Sequence, residues 1–311
     1  MVACNFSLSS FCRLDSFIGN LDSEITKIYM AYVFPEKIFP NSLNTYIQCP
    51  FKFKCHNDKE IKAEFVEKPE SFMGQIIHLA LKHLFDIAQV PADKRRDQDL
   101  GQLVRHFWAR MPKSGFSKDY WNSEERRRLF GSREQEKVFG LQTIAILKNY
   151  IAGADLSVIP LSLEAWMDCQ VGEFTIAGRI DRIDQDSESS VSVWDYKTGK
   201  LPYHDSVEKM IEENVQIPIY AVIASKCNPF AKQIRVGLVY IKYSKIFDIT
   251  WTKEQLKKIE DRIVNIIKEA KDNHEFLPRI NKLCPWCEYR NVCPDKDKIE
   301  EKYTKIDEVK W

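Results

Sequence analysis

Three cysteines within ten residues near the end of the chain constrain its fold more than any other feature. Cys284, Cys287 and Cys293 stand at spacings typical of metal or cluster ligands. A closed four-ligand site has no fourth thiol or imidazole nearby, so that ligand must come from far along the chain. Cys49, which like Cys284 and Cys293 precedes a proline, is the best candidate, and Cys55 is the reserve. Such a site would join the two ends of the folded region.

The same cysteines bear on the cofactor and on the compartment. Four thiolates can hold either zinc or a [4Fe-4S] cluster, and their spacing alone does not decide between the two. The chain has nine cysteines, and its first residues lack the basic segment and apolar run of an export signal. Clustered thiols in a reducing compartment bind metals more often than they form disulfides. We therefore expect a cytoplasmic protein with a metal or iron-sulfur centre.

The composition excludes several classes of protein. With 44% hydrophobic residues, 11 glycines and 13 prolines in 311 residues, the chain is neither collagen-like nor mostly disordered. No apolar run approaches the roughly 18 residues of a membrane-spanning helix, so no membrane association is expected. Because 46 basic residues nearly balance 45 acidic ones, the net charge of +1 does not attract nucleic acid by itself. Contact with phosphates would need a local patch.

The hydrophobic period changes near residue 159, which predicts a mixed α/β fold with a helical N-terminal half. Before that point, apolar spacing predicts helices over 41–47, 71–89 and 123–151. After it, alternating apolar residues predict a three-strand meander, followed by a helix, a fourth strand and a long amphipathic helix. These later elements are expected at 159–168, 173–184, 191–197, 205–226, 234–241 and 252–273.

One compact domain is expected over residues 39–311, because no repeat, low-complexity tract or Gly/Ser-rich linker divides the chain. Within it we expect a helical part at about 70–155, a core that carries the candidate chemistry at about 159–241 and a cysteine loop at 284–293. Residues 1–38 show no clear period and are interpreted as an N-terminal extension of unknown role.

Two acidic residues and a lysine form the candidate chemical site. In a predicted strand, the two-residue period places Asp195 and Lys197 side by side on one face. Asp181 lies in the preceding strand, and the turn between the strands is short enough for the two acids to meet. Convergent carboxylates suit Mg²⁺ or Mn²⁺, which supports phosphodiester hydrolysis, while Lys197 orients or deprotonates the attacking water. The alternative is an ordinary ion pair on a half-exposed strand.

Three further polar residues are placed to face the same cleft. Gln216 and Tyr220 follow the acid–lysine strand at positions i and i+4 of a predicted helix, so they share one face. His78 lies in mid-helix one turn after Gly74, where the missing side chain lets another group approach closely. Taken singly, each of these residues is also typical of an ordinary structural position.

These patterns, in this order, resemble the RecB-like branch of the PD-(D/E)XK nucleases. Among its members the resemblance is to the iron-sulfur proteins, such as the AddB nuclease domain and the CRISPR-associated exonucleases. It covers about residues 41–295. The five patterns are Gly74-x3-His78, Gly178-x2-Asp181, Asp195-x-Lys197, Gln216-x3-Tyr220, and an early cysteine followed by C-x2-C-x5-C.

The resemblance implies a restriction-endonuclease-like mixed β-sheet flanked by helices, and a role for each matched residue. The implied metal ligands are His78, Asp181 and Asp195, with Glu164, on the strand before Gly178, in an assisting role only. The implied ligands of a [4Fe-4S] cluster are Cys49, Cys284, Cys287 and Cys293. Lys197 would be the catalytic lysine, and Gln216 with Tyr220 would complete the cleft or guide the DNA strand.

The expected function is that of a metal-dependent DNA nuclease, an exonuclease acting on single-stranded or free ends in repair, recombination or CRISPR adaptation. Its expected partners are DNA and a helicase or CRISPR adaptation proteins. Two alternatives stay open at this point: a catalytically silent DNA-binding subunit of a helicase–nuclease complex, and a zinc-stapled interaction module. The intact set of Asp181, Asp195 and Lys197 argues against the first, and zinc without iron or sulfide would favour the second.

Overall fold

The computed structural model describes residues 33–58, 61, 67–113, 119–201 and 206–303, without the side chains of residues 212 and 213. Apart from its last six residues, the predicted extension over 1–38 lies outside this part of the chain. The described residues fall into two compact units. The larger comprises 36–44 and the residues from 67 to 273, and the smaller comprises 33–35, those from 45 to 61 and 274–303. The single domain expected over 39–311 stays a prediction.

Six strands form one mixed sheet in the larger unit, and helices flank it. The strands are β1 (Lys37–Ile38), β2 (Ser162–Val171), β3 (Phe174–Ser187), β4 (Ser190–Lys197), β5 (Gln233–Tyr240) and β6 (Lys245–Thr252). The helices are α1 (Pro40–Gln48), α2 (Pro50–Asn57), α3 (Pro69–Phe85), α4 (Leu100–Ala109), α5 (Ser123–Phe130), α6 (Arg133–Gly153), α7 (Val207–Glu213), α8 (Gln216–Cys227), α9 (Lys253–Asp272) and α10 (Lys296–Tyr303). Of these, α2 and α10 belong to the smaller unit, and α1 spans the boundary at residue 44.

The sheet joins an antiparallel meander to a parallel pair. Strands β2, β3 and β4 are antiparallel in succession, as the alternating pattern predicts. Strand β4 is parallel to β5 after a crossover that contains α7 and α8, β6 is antiparallel to β5, and β1 is parallel to β3. The predicted class, a mixed sheet flanked by helices, is confirmed. Strand β6 was not predicted, although Phe247, Ile249 and Trp251 alternate with polar residues along it.

Two predicted helices in the first half differ from the observed ones. Helix α3 begins at Pro69 rather than after Ser71, and it ends at Phe85 rather than near residue 89. Proline is favoured at the first helical position because the N–H that it lacks would have no partner within the helix. The single helix predicted over 123–151 is two helices, since Gly131 adopts a φ of 81° and ends α5 before Ser132 caps α6.

The predicted helix over 205–226 is also divided, and its expected first residue lies outside the described part of the chain. The break falls at Asn214, whose side-chain oxygen accepts a hydrogen bond from the backbone N–H of Gln216 at 2.7 Å. Asn44 holds this turn in place, because it donates to the Asn214 side chain and accepts from the Val215 N–H at 2.8 Å. The result is that α8 begins at Gln216, one of the candidate site residues.

The main core of the larger unit lies between α3, α4, α6 and the sheet. Helix α3 contributes its apolar face, including Phe72, Ile76 and Leu81, and strand β4 contributes Trp194 and Tyr196. This packing holds α3 next to β4. It thereby positions the polar residues of both elements, which are His78 on α3 and Asp195 and Lys197 on β4. Among the described residues, no helix is long and apolar enough to cross a membrane.

Candidate active site

Three side chains from different elements bring their ligand atoms together: His78 from α3, Glu164 from β2 and Asp181 from β3. The His78 Nδ1 atom lies 3.2 Å from Glu164 Oε1 and 3.4 Å from Asp181 Oδ1. All three ligand atoms lie within 4.8 Å of one another, and no other such group of histidine, cysteine or acidic side chains occurs in the described residues. The sequence patterns predicted His78 and Asp181 as ligands here, and they gave Glu164 only an assisting role at the metal.

Glu164 reaches this group through an unusual backbone conformation. Its φ is 49°, in the left-handed region that non-glycine residues rarely occupy. In the ladder between β2 and β3, Glu164 falls between the Leu163–Arg182 and Ala165–Ile180 pairs. Backbone strain of this kind costs on the order of 1–3 kcal/mol and concentrates at functional sites. No local sequence signal marks a glutamate for such a conformation, so the pattern could not reveal it.

The backbone of Tyr196 fixes both His78 and Asp181. Its N–H donates to Asp181 Oδ2 at 2.7 Å, and its carbonyl lies 3.1 Å from His78 Nε2. With a proton on Nε2, the imidazole donates to this carbonyl and turns Nδ1 toward the carboxylates. A hydrogen bond on the far nitrogen is what orients histidines that ligate metals.

A buried polar network anchors the side chain of Tyr196. The Arg182 guanidinium donates to the Tyr196 hydroxyl at 3.1 Å and pairs with Asp184 at 2.8 Å. Trp194 Nε1 also donates to Asp184 at 2.8 Å, and Arg182 stacks over the Phe85 ring. Burial raises the pKa of Asp184, which Arg182 partly offsets. The network thus holds the residue whose backbone positions two members of the site.

The other predicted residues form a second, contiguous chain of hydrogen bonds. Lys197 Nζ lies 2.6 Å from Asp195 Oδ2 and donates to Gln216 Oε1 at 2.9 Å. Gln216 Nε2 in turn donates to Asp195 Oδ1 and to the Tyr220 hydroxyl, both at 3.1 Å. Tyr220 then donates to the Arg179 carbonyl at 3.1 Å. Asp195 is therefore next to Lys197 and outside the group formed by His78, Glu164 and Asp181. Its role as a metal ligand stays a prediction.

Two glycines allow these elements to approach one another. A Cβ atom at Gly74 would lie 2.8 Å from Thr198 Oγ1, so the missing side chain lets α3 contact the residue after Lys197. A Cβ atom at Gly178 would lie 2.9 Å from the Tyr220 ring, so this glycine lets α8 lie close to β3. Both glycines belong to the patterns that the sequence analysis singled out, and both have a steric reason to be there.

The electrostatics of the site favour a bound cation. Burial lowers the pKa of His78, but hydrogen bonds to Asp181 and Glu164 outweigh it and raise that pKa to about 10. Burial raises the pKa of Asp195, and Lys197 partly offsets this effect. The Asp195 Oδ2 atom accepts no hydrogen bond of normal geometry although it is buried. A divalent ion fits the imidazole and carboxylate donors, and it would displace the proton that His78 otherwise holds.

The smaller unit brings the four predicted cysteines around one cavity. Cys49 precedes α2, and the other three lie in the turns that precede α10. The cavity is lined by Cys49, Cys284, Cys287 and Cys293. Cys55, the reserve candidate, is buried with Phe51 and Tyr289, and Cys49, Cys287 and Cys293 pack against this cluster. Burial raises the pKa of Cys55 to about 12. Because Cys49 lines the cavity and Cys55 does not, the cavity favours Cys49 as the fourth ligand.

Each of the four sulfur atoms receives a backbone N–H group. The donors to Cys49 and Cys284 are Arg279 and Asn281, at 3.5 and 3.2 Å. The donors to Cys287 and Cys293 are Tyr289 and Asp295. Burial raises the pKa of Cys287 and raises that of Cys293 to about 11, and the backbone donors partly offset this effect. Such donors stabilise thiolates, and they are among the features that tune iron-sulfur clusters. The donor set therefore fits a thiolate-bound cofactor.

The chain belongs to the PD-(D/E)XK nuclease superfamily, whose family model matches residues 38–294. Among curated proteins, no sequence matches it. Its structure is similar to the crystal structure of SSO0001, with 14% identity, coverage of 88% of this chain and 94% of that chain, and a TM-score of 0.32. It is also similar to the crystal structure of a "Putative exonuclease" from Eubacterium rectale, with 10% identity, coverage of 87% and 93%, and a TM-score of 0.38.

Proposed function

We propose that this protein is a divalent-metal-dependent DNA nuclease, an exonuclease that hydrolyses phosphodiester bonds at single-stranded ends. The observation that carries the proposal is the convergence of His78, Glu164 and Asp181 on one point, with Lys197 held by Asp195 in the same unit. Membership of the PD-(D/E)XK nuclease superfamily supports the proposal. A catalytically silent subunit would have no need to keep a buried carboxylate paired with a half-buried lysine.

In the proposed mechanism, His78, Glu164 and Asp181 hold Mg²⁺ or Mn²⁺. The bound ion supplies Lewis-acid stabilisation of the negative charge that develops on the phosphate oxygens. Asp195 and Gln216 fix the Lys197 amine through contacts of 2.6 and 2.9 Å. Lys197 then orients the attacking water, and Asp195 is close enough to Lys197 to share in moving a proton away from that water.

Gln216 and Tyr220 position the reacting groups from α8. Gln216 accepts a hydrogen bond from Lys197 and donates one to Asp195, so its amide fixes the amine and the carboxylate relative to each other. Tyr220 holds Gln216 and the backbone of β3 through its hydroxyl. Both residues are buried, and their proposed role is to preserve the geometry of the reacting pair rather than to transfer a proton.

The proposal extends to a [4Fe-4S] cluster bound by Cys49, Cys284, Cys287 and Cys293. Around a tetrahedral zinc ion, with Zn–S bonds of about 2.3 Å, the sulfur atoms lie about 3.8 Å apart. Within the described residues, no three of these sulfurs lie within 4.8 Å of one another. An iron-sulfur cluster places iron and sulfide atoms between the thiolates, so it holds them further apart than a zinc ion does.

The proposed biological setting is repair, recombination or CRISPR adaptation, with a helicase or CRISPR adaptation proteins as partners. Hydrolysis of single-stranded ends requires a process that supplies them, because duplex DNA does not expose them spontaneously. Unwinding by a helicase and end processing during spacer acquisition both produce this substrate. The iron-sulfur members of the RecB-like branch, which the sequence patterns resemble, provide the reason to place the protein in such a process.

The direct test is cleavage of end-labelled single-stranded and duplex DNA with Mg²⁺, Mn²⁺ or EDTA. We expect the wild-type protein to shorten the single strand progressively from one end in the presence of either metal, and to be inactive in EDTA. Asp195→Ala should abolish cleavage, because it removes the partner that holds Lys197. Cleavage that survives EDTA or Asp195→Ala would contradict the proposal, and so would a pure wild-type protein that cuts no DNA with either metal.

A further inference from the structure

The cleft beside the candidate metal site carries an aromatic surface that the proposed mechanism does not use. This cleft has a volume of about 560 Å³ and is lined by His78, Glu164, Arg179 and Trp166, among others. Trp166 is 53% exposed, although tryptophan is on average a highly buried residue. An indole ring this accessible, in the same cleft as a cation-binding group, has room to contact a planar ligand.

The sheet fixes the backbone of Trp166, and a neighbouring ring packs against its indole. Trp166 pairs directly with Arg179 across the antiparallel strands β2 and β3. The Phe39 ring packs edge-on against the indole, with ring centroids 5.9 Å apart and an angle of 78° between the rings. The ring is therefore held in place, and it does not need to be ordered when a ligand binds, which favours binding.

Arg179 adds a positive charge beside the ring. Its Nε atom lies 3.0 Å from Glu164 Oε2 in an ion pair, and the Arg179 side chain stays 47% exposed. A guanidinium group has five N–H donors in a planar fork, so the contact with Glu164 leaves donors that can bind phosphate oxygens. Glu164, which lies two residues before Trp166 on β2, thereby links this arginine to the candidate metal site.

We infer that Trp166 and Arg179 form a nucleotide subsite that takes one unstacked base, with its phosphate, next to the bond that is cut in single-stranded DNA. The inference rests on the proposed function and adds the residues that select its substrate. An indole face stacks on any base, and an exposed arginine pairs with the adjoining phosphate. A base inside a duplex is stacked on both sides and must first be extruded to use such a subsite. The subsite therefore favours single strands over duplex DNA without favouring a sequence.

The test uses labelled single-stranded oligonucleotides in which one abasic residue is moved along the strand position by position. With wild-type protein, we expect the abasic residue to slow cleavage at one position next to the cut by about 5- to 150-fold, the effect of losing one base–aromatic stack. Trp166→Ala should slow cleavage of the intact strand by a similar factor and should remove the effect of the abasic residue at that position. An abasic effect that persists unchanged in Trp166→Ala would overturn the inference.

Two control variants separate stacking from general damage. Trp166→Phe keeps an aromatic face and should restore most of the cleavage rate and the abasic effect. Phe230→Ala removes a ring that is 44% exposed but lies outside the cleft lining, and it should leave the cleavage profile unchanged. A loss in Phe230→Ala as large as that in Trp166→Ala would also overturn the inference.

A binding measurement separates this inference from the proposed nuclease activity. In EDTA, the fluorescence anisotropy of labelled oligo(dT) should show about 5- to 150-fold weaker binding by Trp166→Ala than by wild type, with no change for blunt duplex DNA. If wild type binds in this way but cuts no DNA with Mg²⁺ or Mn²⁺, the proposed function fails and the subsite stands. If wild type cuts DNA and Trp166→Ala binds and cuts equally well, the subsite fails and the nuclease stands.

Discussion

Replacing Lys197 by alanine is expected to slow DNA cleavage by about 10²- to 10⁴-fold, the usual contribution of a positioned proton-transfer group. The amine lies 2.6 Å from Asp195 Oδ2 and 2.9 Å from Gln216 Oε1, and the Lys197 side chain is 31% exposed. It is thus both fixed and partly accessible to solvent. Single-turnover cleavage of a labelled single strand with saturating Mg²⁺ measures the effect without contributions from product release.

The loss must be separated from a loss of metal binding, because Lys197 is also the charged partner of Asp195. Burial raises the pKa of Asp195 and Lys197 lowers it, so the substitution favours the protonated carboxyl. In the proposed mechanism the ion is held by His78, Glu164 and Asp181, which the substitution leaves in place. Isothermal titration with Mn²⁺ should therefore show that Lys197→Ala still binds the ion. As a control, Lys232→Ala removes an exposed lysine just before β5, and this variant should cleave at the wild-type rate. A folded Lys197→Ala protein that cleaves DNA as fast as the wild type would contradict the proposed mechanism.

Replacing Cys287 by alanine is expected to abolish iron binding and to lower the stability of the protein strongly. The proposed cluster would link chain segments near residues 49 and 284–293, and closing a loop of roughly 200 residues or more contributes about 5 kcal/mol in the chain-entropy model. A loss of that size lowers the unfolding midpoint by about 10 °C or more in a chain of this length. Anaerobically purified protein should contain four iron and four sulfide per chain, absorb visible light and lose both properties in the variant.

Two cysteines outside the cavity lining provide matched controls for this experiment. Cys227→Ala removes an exposed thiol and should leave the iron content and the unfolding midpoint unchanged. Cys55→Ala removes a buried thiol from the packing around Phe51 and Tyr289, so it should lower stability modestly and keep the iron. Loss of iron in Cys55→Ala but not in Cys49→Ala would reassign the fourth ligand. Protein with one zinc and no iron or sulfide would contradict the cluster.

Much of the fold could be predicted because periodicity is a local property. The strands of the meander alternate apolar and polar residues, and the same two-residue period places Asp195 beside Lys197. The spacing of Gln216 and Tyr220 likewise follows from helical geometry. Helix ends were less predictable, because they depend on single residues such as Pro69 and Gly131.

The remaining parts of the site depend on contacts between distant segments, which no local pattern records. Glu164 reaches His78 and Asp181 through a left-handed backbone conformation that the neighbouring residues do not predict. Tyr196 contributes backbone atoms, for which side-chain identity carries no signal. Trp166 reads in sequence as an ordinary strand aromatic, and only the tertiary structure opens it to the cleft.

The most direct test of the central claim is the position of Mn²⁺ in crystals of the protein, located by its anomalous scattering. We predict one ion bonded to His78 Nδ1 and to carboxylate oxygens of Glu164 and Asp181, with the Lys197 amine beside it. His78→Ala should weaken Mn²⁺ binding in solution, because it removes the only nitrogen ligand of the group. A fully occupied Mn²⁺ elsewhere in the chain, with these three side chains left without an ion, would contradict the account.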